Sequence, residues 1–415
     1  MTKYRFLIPI VLFCVTAIKG QTTKNVLFLG NSYTSVNNLP SLTQNLATSL
    51  GDVLTVDSNT PGGYTFNGHS TNSTSLNKIA QGGWDYVVLQ EQSQIPSFPP
   101  SQVATDSYPY SAILVDSILS ANPCAVPLFY MTWGRENGDQ SNCASYAPLC
   151  TYDGMQARLR ESYLEMGVNN DAEVSPVGAA WKYVRDNYPT IDLYSSDGSH
   201  PSIQGSYLAA CVHYASIYKK SPVGASFIST LSTADALILQ TAAEMIVIDS
   251  MSNWNFGVRN VTADFSSNIS GFDVAFNYLG SNGITFDWIF GDGNSSNDEN
   301  PENTYLTNGS YSVELIATDG CTSDTSTAEV IISSTGLGVQ EIDVISSVSK
   351  ENDRYKIKFN QYVKGSYLLY NFSGKLVSNG DFSGEQLSIS TPSVAGYYIL
   401  TIRSGEQTQS IKLVR

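Results

Sequence analysis

Three residues of the chain could share one piece of chemistry: Ser32, Asp197 and His200. A serine hydroxyl attacks a carbonyl only if an imidazole removes its proton. The imidazole in turn needs a carboxylate to fix its tautomer. Residues 197–202 read Asp-Gly-Ser-His-Pro-Ser, so one tight turn supplies both carboxylate and imidazole. The chain order is Ser, Asp, His. An isolated loop serine more often caps a helix or meets water, so Ser32 gains meaning only beside the second stretch.

The elements that must position Ser32 are local. Residues 26–29, Val-Leu-Phe-Leu, form an unbroken apolar run, the pattern of a short strand buried on both faces. Gly30 ends the run, and Leu39, Leu42, Leu46 and Leu50 then repeat at helical spacing behind Pro40. Ser32 therefore belongs on a strand-to-helix turn at the carboxyl edge of a parallel sheet, where open α/β sheets place their sites. Pro201 suits the first turn of a second helix, with Tyr207, Leu208, Cys211, Val212 and Ala215 as its apolar stripe. His213 reads as a satisfied histidine on or near that stripe.

The stretches Gly-Asn-Ser-Tyr-Thr at 30–34 and Asp-x-x-His-Pro-Ser at 197–202 resemble blocks I and V of the SGNH (GDSL-type) hydrolases. Asn31 stands where many members have Asp. The resemblance implies an α/β, flavodoxin-like three-layer domain, esterase activity, and Ser32, Asp197 and His200 as the triad. It also implies oxyanion donors, the backbone N–H groups of Ser32 and Gly63: by themselves the paired glycines of Thr60-Pro61-Gly62-Gly63 read as a tight turn, and the likeness to block II supports the second role, with Gly63 chosen over Gly62. The usual Gly-x-Asn-Asp of block III is absent. Leu-Gln-Glu-Gln-Ser at 89–93 takes its place, similar to a branch with Leu-Gln-x-x-Ser after this strand. A Gln amide can donate as Asn does; Gln90 is the first choice, and Gln92 and Gln94 stay open.

Three further residues are candidates for substrate contact. His69 lies in a polar loop, as a solvated histidine or a pocket wall. Trp133 and Arg135 follow the fourth strand pattern at 125–131. Trp133 could stack on a sugar or pack locally; Arg135 could meet an acidic substrate group or a nearby Asp. No cofactor is called for, and no His and Cys cluster has zinc spacing, so no metal is expected.

The chain has 415 residues, enough for two or three domains, with a formal net charge of −15 and only 14% charged residues. That acidity argues against nucleic acid and anionic membranes as partners. Lys3 and Arg5 precede an apolar run at 6–15, and Gly20 precedes Gln21: a secretory signal over 1–20, too short for a convincing transmembrane span. The mature chain has no other long apolar stretch.

Residues 21–258 are read as the catalytic domain. From about 260 the pattern becomes β-rich. Phe286-Asp287-Trp288-Ile289-Phe290-Gly291-Asp292-Gly293, then Asn300-Pro301 and Tyr305, resembles a PKD domain over 260–334, an immunoglobulin-like sandwich. There Trp288 and Tyr305 should be core and Asp292 a turn stabiliser. Residues 333–336 look like a linker. The final stretch, 341–415, resembles the C-terminal sorting domain of type IX secretion substrates. That resemblance implies a second small β-sandwich, the type IX machinery as a partner, and a secreted or surface-attached location.

Export permits disulfides. Cys143 and Cys150 flank a short loop and are the best pair. Cys124 could join Cys211; without the signal segment and its Cys14 the chain keeps five cysteines, and that odd count leaves one thiol over, for which Cys321 is favoured. The functional expectation is a secreted serine esterase that removes acetyl or other short acyl groups from carbohydrate. The alternatives are a short-chain lipid esterase and a non-enzymatic surface protein that binds carbohydrate on an SGNH scaffold.

Overall fold

The computed structural model describes residues 21–333, 345–390, 392–405 and 407–415. The expected signal segment 1–20, most of the 333–336 linker and the first residues of the 341–415 module lie outside the described residues. Two compact units result. The first runs to Asp264 and takes in Leu279–Phe286 and Ile316–Thr325; the second holds Phe265–Tyr278, Asp287–Leu315 and Ser326–Arg415.

The first unit is built on five strands: β1 (Thr23–Leu29), β2 (Val53–Asn59), β3 (Tyr86–Leu89), β4 (Val126–Tyr130) and β5 (Glu173–Ser175). They pair in the order β2-β1-β3-β4-β5, and every pairing is parallel. The apolar run of β1 explains the layering. Alternate side chains of a strand point to opposite faces. Val26 and Phe28 enter one core with Leu39, Leu42 and Leu46 of helix Leu39–Ser49 and with helix Ile203–Tyr218. Leu27 and Leu29 enter a second core with Leu114, Val115 and Ile118 of helix Tyr108–Ala121 and with Leu159 and Tyr163 of helix Tyr152–Asn169. The four side chains from Val26 to Leu29 are fully buried, each contributing ~2 kcal/mol of apolar transfer.

The sheet reverses direction at β1. The chain leaves β1 for β2 on one side, then returns to β3 on the other. The carboxyl ends of β1 and β3 thus flank a switch point, where such sheets open a crevice. Ser32 follows β1 and Gln90 follows β3.

Helix Ile203–Tyr218 is buried along its whole length after the first turn, which accounts for its lack of a polar face. Ser202 caps it, its Oγ accepting the N–H of Gly205 at 3.1 Å. Gly205 cannot be larger: a Cβ there would lie 2.3 Å from the Leu193 carbonyl and 2.4 Å from the Trp181 ring.

The disulfides correct one expectation. Cys143 joins Cys150 as anticipated. Cys321, expected to be the spare thiol, joins Cys124, and Cys211 is free. Cys124 and Cys321 both lie on exposed turns, whereas Cys211 is sealed inside the buried helix and offers no route to Cys124.

Residues 260–333 form two sheets. One is made of Phe265–Ser270, Asp273–Tyr278 and Glu302–Thr304; the other of Thr285–Ile289, Ser295–Ser296, Gly309–Thr318 and Ser323–Ile332. Trp288 and Tyr305 are core residues. The Asp292 carboxylate accepts the Asn294 N–H at 2.9 Å and the Asn303 amide at 2.9 Å, bracing the Gly291–Gly293 turn. From Ile345 onward the hydrogen bonds make one five-stranded antiparallel sheet rather than two separate ones. Its long strand Arg354–Asn371 breaks register between Lys358 and Val363, and residues from both halves share one core.

Candidate active site

Ser32 is set by the chain immediately around it. Asn31 caps the short helix Ser32–Ser35: its Oδ1 accepts the Tyr33 N–H at 3.1 Å. The Asn31 Nδ2 donates to the Tyr64 carbonyl at 2.9 Å, tying the 61–64 turn to the serine turn. Behind this turn lies Gln90, fully buried. Its Oε1 accepts the Asn31 N–H at 3.0 Å and the Thr34 hydroxyl at 2.9 Å. Gly30 leaves room for that brace, since a Cβ would come within 2.7 Å of the Gln90 Oε1.

The 195–200 turn is equally determined. Ser195 N–H donates to the His200 carbonyl at 2.8 Å and Gly198 N–H to the Ser195 carbonyl at 2.9 Å. Gly198 has φ +64°, the left-handed region that favours glycine. The Asp197 Oδ1 accepts the N–H groups of Ser199 at 3.0 Å and His200 at 2.9 Å. Its Oδ2 lies 2.5 Å from His200 Nδ1, and His200 Nε2 lies 2.8 Å from the Ser32 Oγ.

This geometry fixes the proton pattern. Burial alone would raise the Asp197 pKa, but the hydrogen bonds from His200 and the two backbone N–H groups outweigh it and hold the carboxyl below its ordinary value. An ionised carboxylate only accepts, so Nδ1 carries the proton and Nε2 presents a lone pair to the Ser32 O–H. The arrangement can remove a proton from Ser32 without moving a heavy atom. The His200 and Asp197 side chains are 36% and 48% exposed, so bulky molecules can reach them.

Possible oxyanion donors lie on two turns. Among the described residues, no backbone hydrogen bond occupies the N–H of Ser32 or of Gly63. Gly63 is exposed, with φ +71°, on the 61–64 turn that Asn31 holds.

Three expected site residues are corrected. Gln90 does not present its amide to the site: its Nε2 donates to the Glu91 carbonyl, and its Oε1 is committed to the serine turn. His69 is fully buried, with Nε2 at 2.9 Å from the Gly30 carbonyl and Nδ1 at 2.7 Å from the Ser75 Oγ. A carbonyl only accepts, so His69 donates from Nε2, and desolvation lowers its pKa. Trp133 is also fully buried, stacked on Trp181 at 3.8 Å, and offers no face to a sugar. Arg135 keeps part of its guanidinium at the surface and pairs with buried Asp139 at 3.2 Å. Gln94 serves the same Asp139, donating to it at 2.7 Å, while Gln92 accepts the Gln94 N–H at 2.7 Å.

Residues beyond the expected triad also shape the site. Glu91 has no exposed surface and accepts from Phe66 N–H, Gln92 N–H and the Ser107 hydroxyl; desolvation pushes its pKa up to about 7. Tyr33 and Ser199 meet at 2.7 Å. Among the described residues no group of three or more His, Cys, Asp or Glu is placed to hold a metal ion, and no helix is long and apolar enough to cross a membrane.

Comparisons with solved structures match two regions separately. A DUF4886 family protein from Bacteroides uniformis is 17% identical, with 55% of this chain and 96% of that chain covered and a TM-score of 0.47. A candidate SGNH hydrolase from Slackia heliotrinireducens is 29% identical, with 46% and 98% covered and a TM-score of 0.37. The first PKD domain of the Vibrio cholerae metalloprotease PrtV is 31% identical, with 18% and 96% covered and a TM-score of 0.17. The PKD domain family model matches residues 260–333. Trp288, Tyr305 and the braced turn at Asp292 lie within that span, and residues 260–333 are a PKD domain.

Proposed function

We propose that the N-terminal domain is a serine ester hydrolase of SGNH type. The observation that carries this reading is the continuous chain from Asp197 Oδ2 through His200 to the Ser32 Oγ, at 2.5 and 2.8 Å. Ser32 Oγ attacks the acyl carbonyl while His200 Nε2 takes its proton. The tetrahedral oxyanion is met by the N–H groups of Ser32 and Gly63. His200 returns the proton to the departing alkoxide, leaving an acyl-enzyme. Water, deprotonated by His200, then releases the acid and restores Ser32. Asp197 holds the imidazole tautomer and stabilises the imidazolium throughout.

The substrate we assign is a short acyl ester, acetyl first, carried on carbohydrate. The exposure of His200 and Asp197 supports access for a bulky polymer, and a short-chain lipid ester is the second choice. We read the chain as exported through its 1–20 segment and released or attached at the cell surface by its 341–415 module through type IX machinery. Two disulfides among the described residues support an oxidising destination.

The test is acetate release from acetylated xylan and from p-nitrophenyl acetate, by wild type and Ser32→Ala. Release from both, lost in the variant, is the expected result. Release from the small ester alone would keep the mechanism and reassign the substrate. A folded protein with no release, and no labelling of Ser32 by a fluorophosphonate, would overturn the enzyme reading in favour of a binding protein.

A further inference from the structure

The turn that carries Asp197 and His200 lies at the surface, yet His200 must stay within hydrogen-bond reach of a serine 168 residues away. Exposed side chains on a surface turn keep most of their rotational freedom. Contacts from neighbouring segments hold this turn: the Glu136 N–H donates to the Gly198 carbonyl at 2.9 Å, and two more meet on Ser199, between Gly198 and His200.

Ser199 is held twice. Its Oγ lies 2.7 Å from the Tyr33 hydroxyl, and its carbonyl accepts the Trp133 Nε1–H at 3.0 Å. The two anchors form one body: the rings of Tyr33 and Trp133 stack at 4.7 Å and 3°, and Trp133 stacks on Trp181 at 3.8 Å and 6°. Tyr33 is 2% exposed, follows Ser32 directly, and sets its ring edge-on to the His200 imidazole at 5.5 Å. One side chain thus begins beside the candidate nucleophile and ends on the residue beside the candidate base.

We propose that Tyr33 and Ser199 act as positioning residues: their hydroxyl pair straps the 195–200 turn to the serine turn and keeps His200 Nε2 on the Ser32 Oγ. The catalytic consequence rests on the esterase reading; the positional one does not. Displacing a reacting group by about 1 Å can cost ~10²-fold in rate, and loss of one of two anchors on Ser199 should cost part of that, ~10-fold. Trp133 keeps the second anchor in place.

The test uses the full chain as wild type, Tyr33→Phe, Ser199→Ala, the double variant and Ser199→Thr. Tyr33→Phe removes one oxygen and leaves the ring stack. The first readout is the 15N spectrum of the histidine side chains, of which the chain has three. The Nε2 signal of His200 should move toward that of a water-exposed imidazole in both single variants, and stay at its wild-type position in Ser199→Thr. The second is the rate of Ser32 labelling by a fluorophosphonate. It should fall ~10-fold in each single variant, no further in the double variant, and return in Ser199→Thr. A purely structural hydroxyl pair would lower the melting temperature and leave both readouts unchanged; that result overturns the strap. Single losses that multiply in the double variant overturn it too. If wild type is never labelled, the esterase reading falls, and the His200 signals alone still decide the strap.

Discussion

The Glu91 carboxylate accepts the backbone N–H of Phe66 at 2.9 Å from a position with no solvent exposure. Phe66 lies two residues after Tyr64, whose carbonyl is held by Asn31. The segment carrying Gly63 is therefore pinned near both the β1 and the β3 ends, by one amide and one carboxylate. Desolvation raises the Glu91 pKa from 4.5 to about 7. The folded chain then keeps a proton on Glu91 that the unfolded chain releases above pH 4.5. Stability from this group is full below that value and is lost as pH rises through about 7. Glu91→Gln removes this slope while preserving shape. Urea unfolding should show its stability relative to wild type improving from pH 5 to pH 8, by at most ~3 kcal/mol. A difference that stays constant with pH would refute the assignment.

Removing the candidate triad members should grade the losses. Ser32→Ala should lower kcat/KM for p-nitrophenyl acetate by ~10⁴-fold or more. Asp197→Asn should cost ~10²–10⁴-fold by favouring the wrong imidazole tautomer. The lower end is expected here, because water can partly replace a carboxylate that is 48% exposed. An Asp197→Asn enzyme with wild-type kcat/KM would remove Asp197 from the mechanism.

His69→Gln separates a structural histidine from a substrate contact. The ring bridges the Gly30 carbonyl and the Ser75 hydroxyl with no solvent exposure, and a Gln cannot satisfy both with the same geometry. Unfolding stability should drop by ~1–3 kcal/mol. KM for any ester the wild type turns over should stay within about twofold, as the ring has no exposed surface to offer a substrate. A selective rise in KM would return His69 to the substrate pocket.

Thiol accounting checks the covalent pattern. Native protein from Gln21 onward, which lacks Cys14, should take up no iodoacetamide, because Cys211 is fully buried and desolvation raises its pKa far above the ordinary thiol value. Denaturation without reductant should expose that one thiol, and peptide mapping should recover Cys124 joined to Cys321 and Cys143 joined to Cys150. Recovery of a Cys124–Cys211 peptide would overturn this pattern.

The parts of this molecule legible in the sequence are those set by near neighbours. The run at 26–29 announces a strand with two buried faces because each of its side chains is apolar, and the structure sends them alternately into two cores. The turn at 197–200 is equally local: the Asp197 side chain bonds backbone two and three residues on. What stayed illegible depends on distant packing. Whether the Gln90 amide faces the crevice or the serine turn is decided by the space that Gly30 leaves open. Whether Trp133 meets solvent is decided by Tyr33 and Trp181, 100 and 48 positions away, which sandwich it. Cys321 finds Cys124 across 197 residues, a choice no spacing rule encodes.

The same cross-link changes what a proteolytic cut can do. A single nick anywhere between Cys124 and Cys321 leaves two pieces that still travel as one covalent molecule, because the cut lies inside a closed ring of chain. Asp197 and His200 sit within that ring and Ser32 precedes it. A protein clipped at one exposed loop of this span would therefore keep all three residues attached to each other. It would migrate as intact chain until a reductant opened the ring.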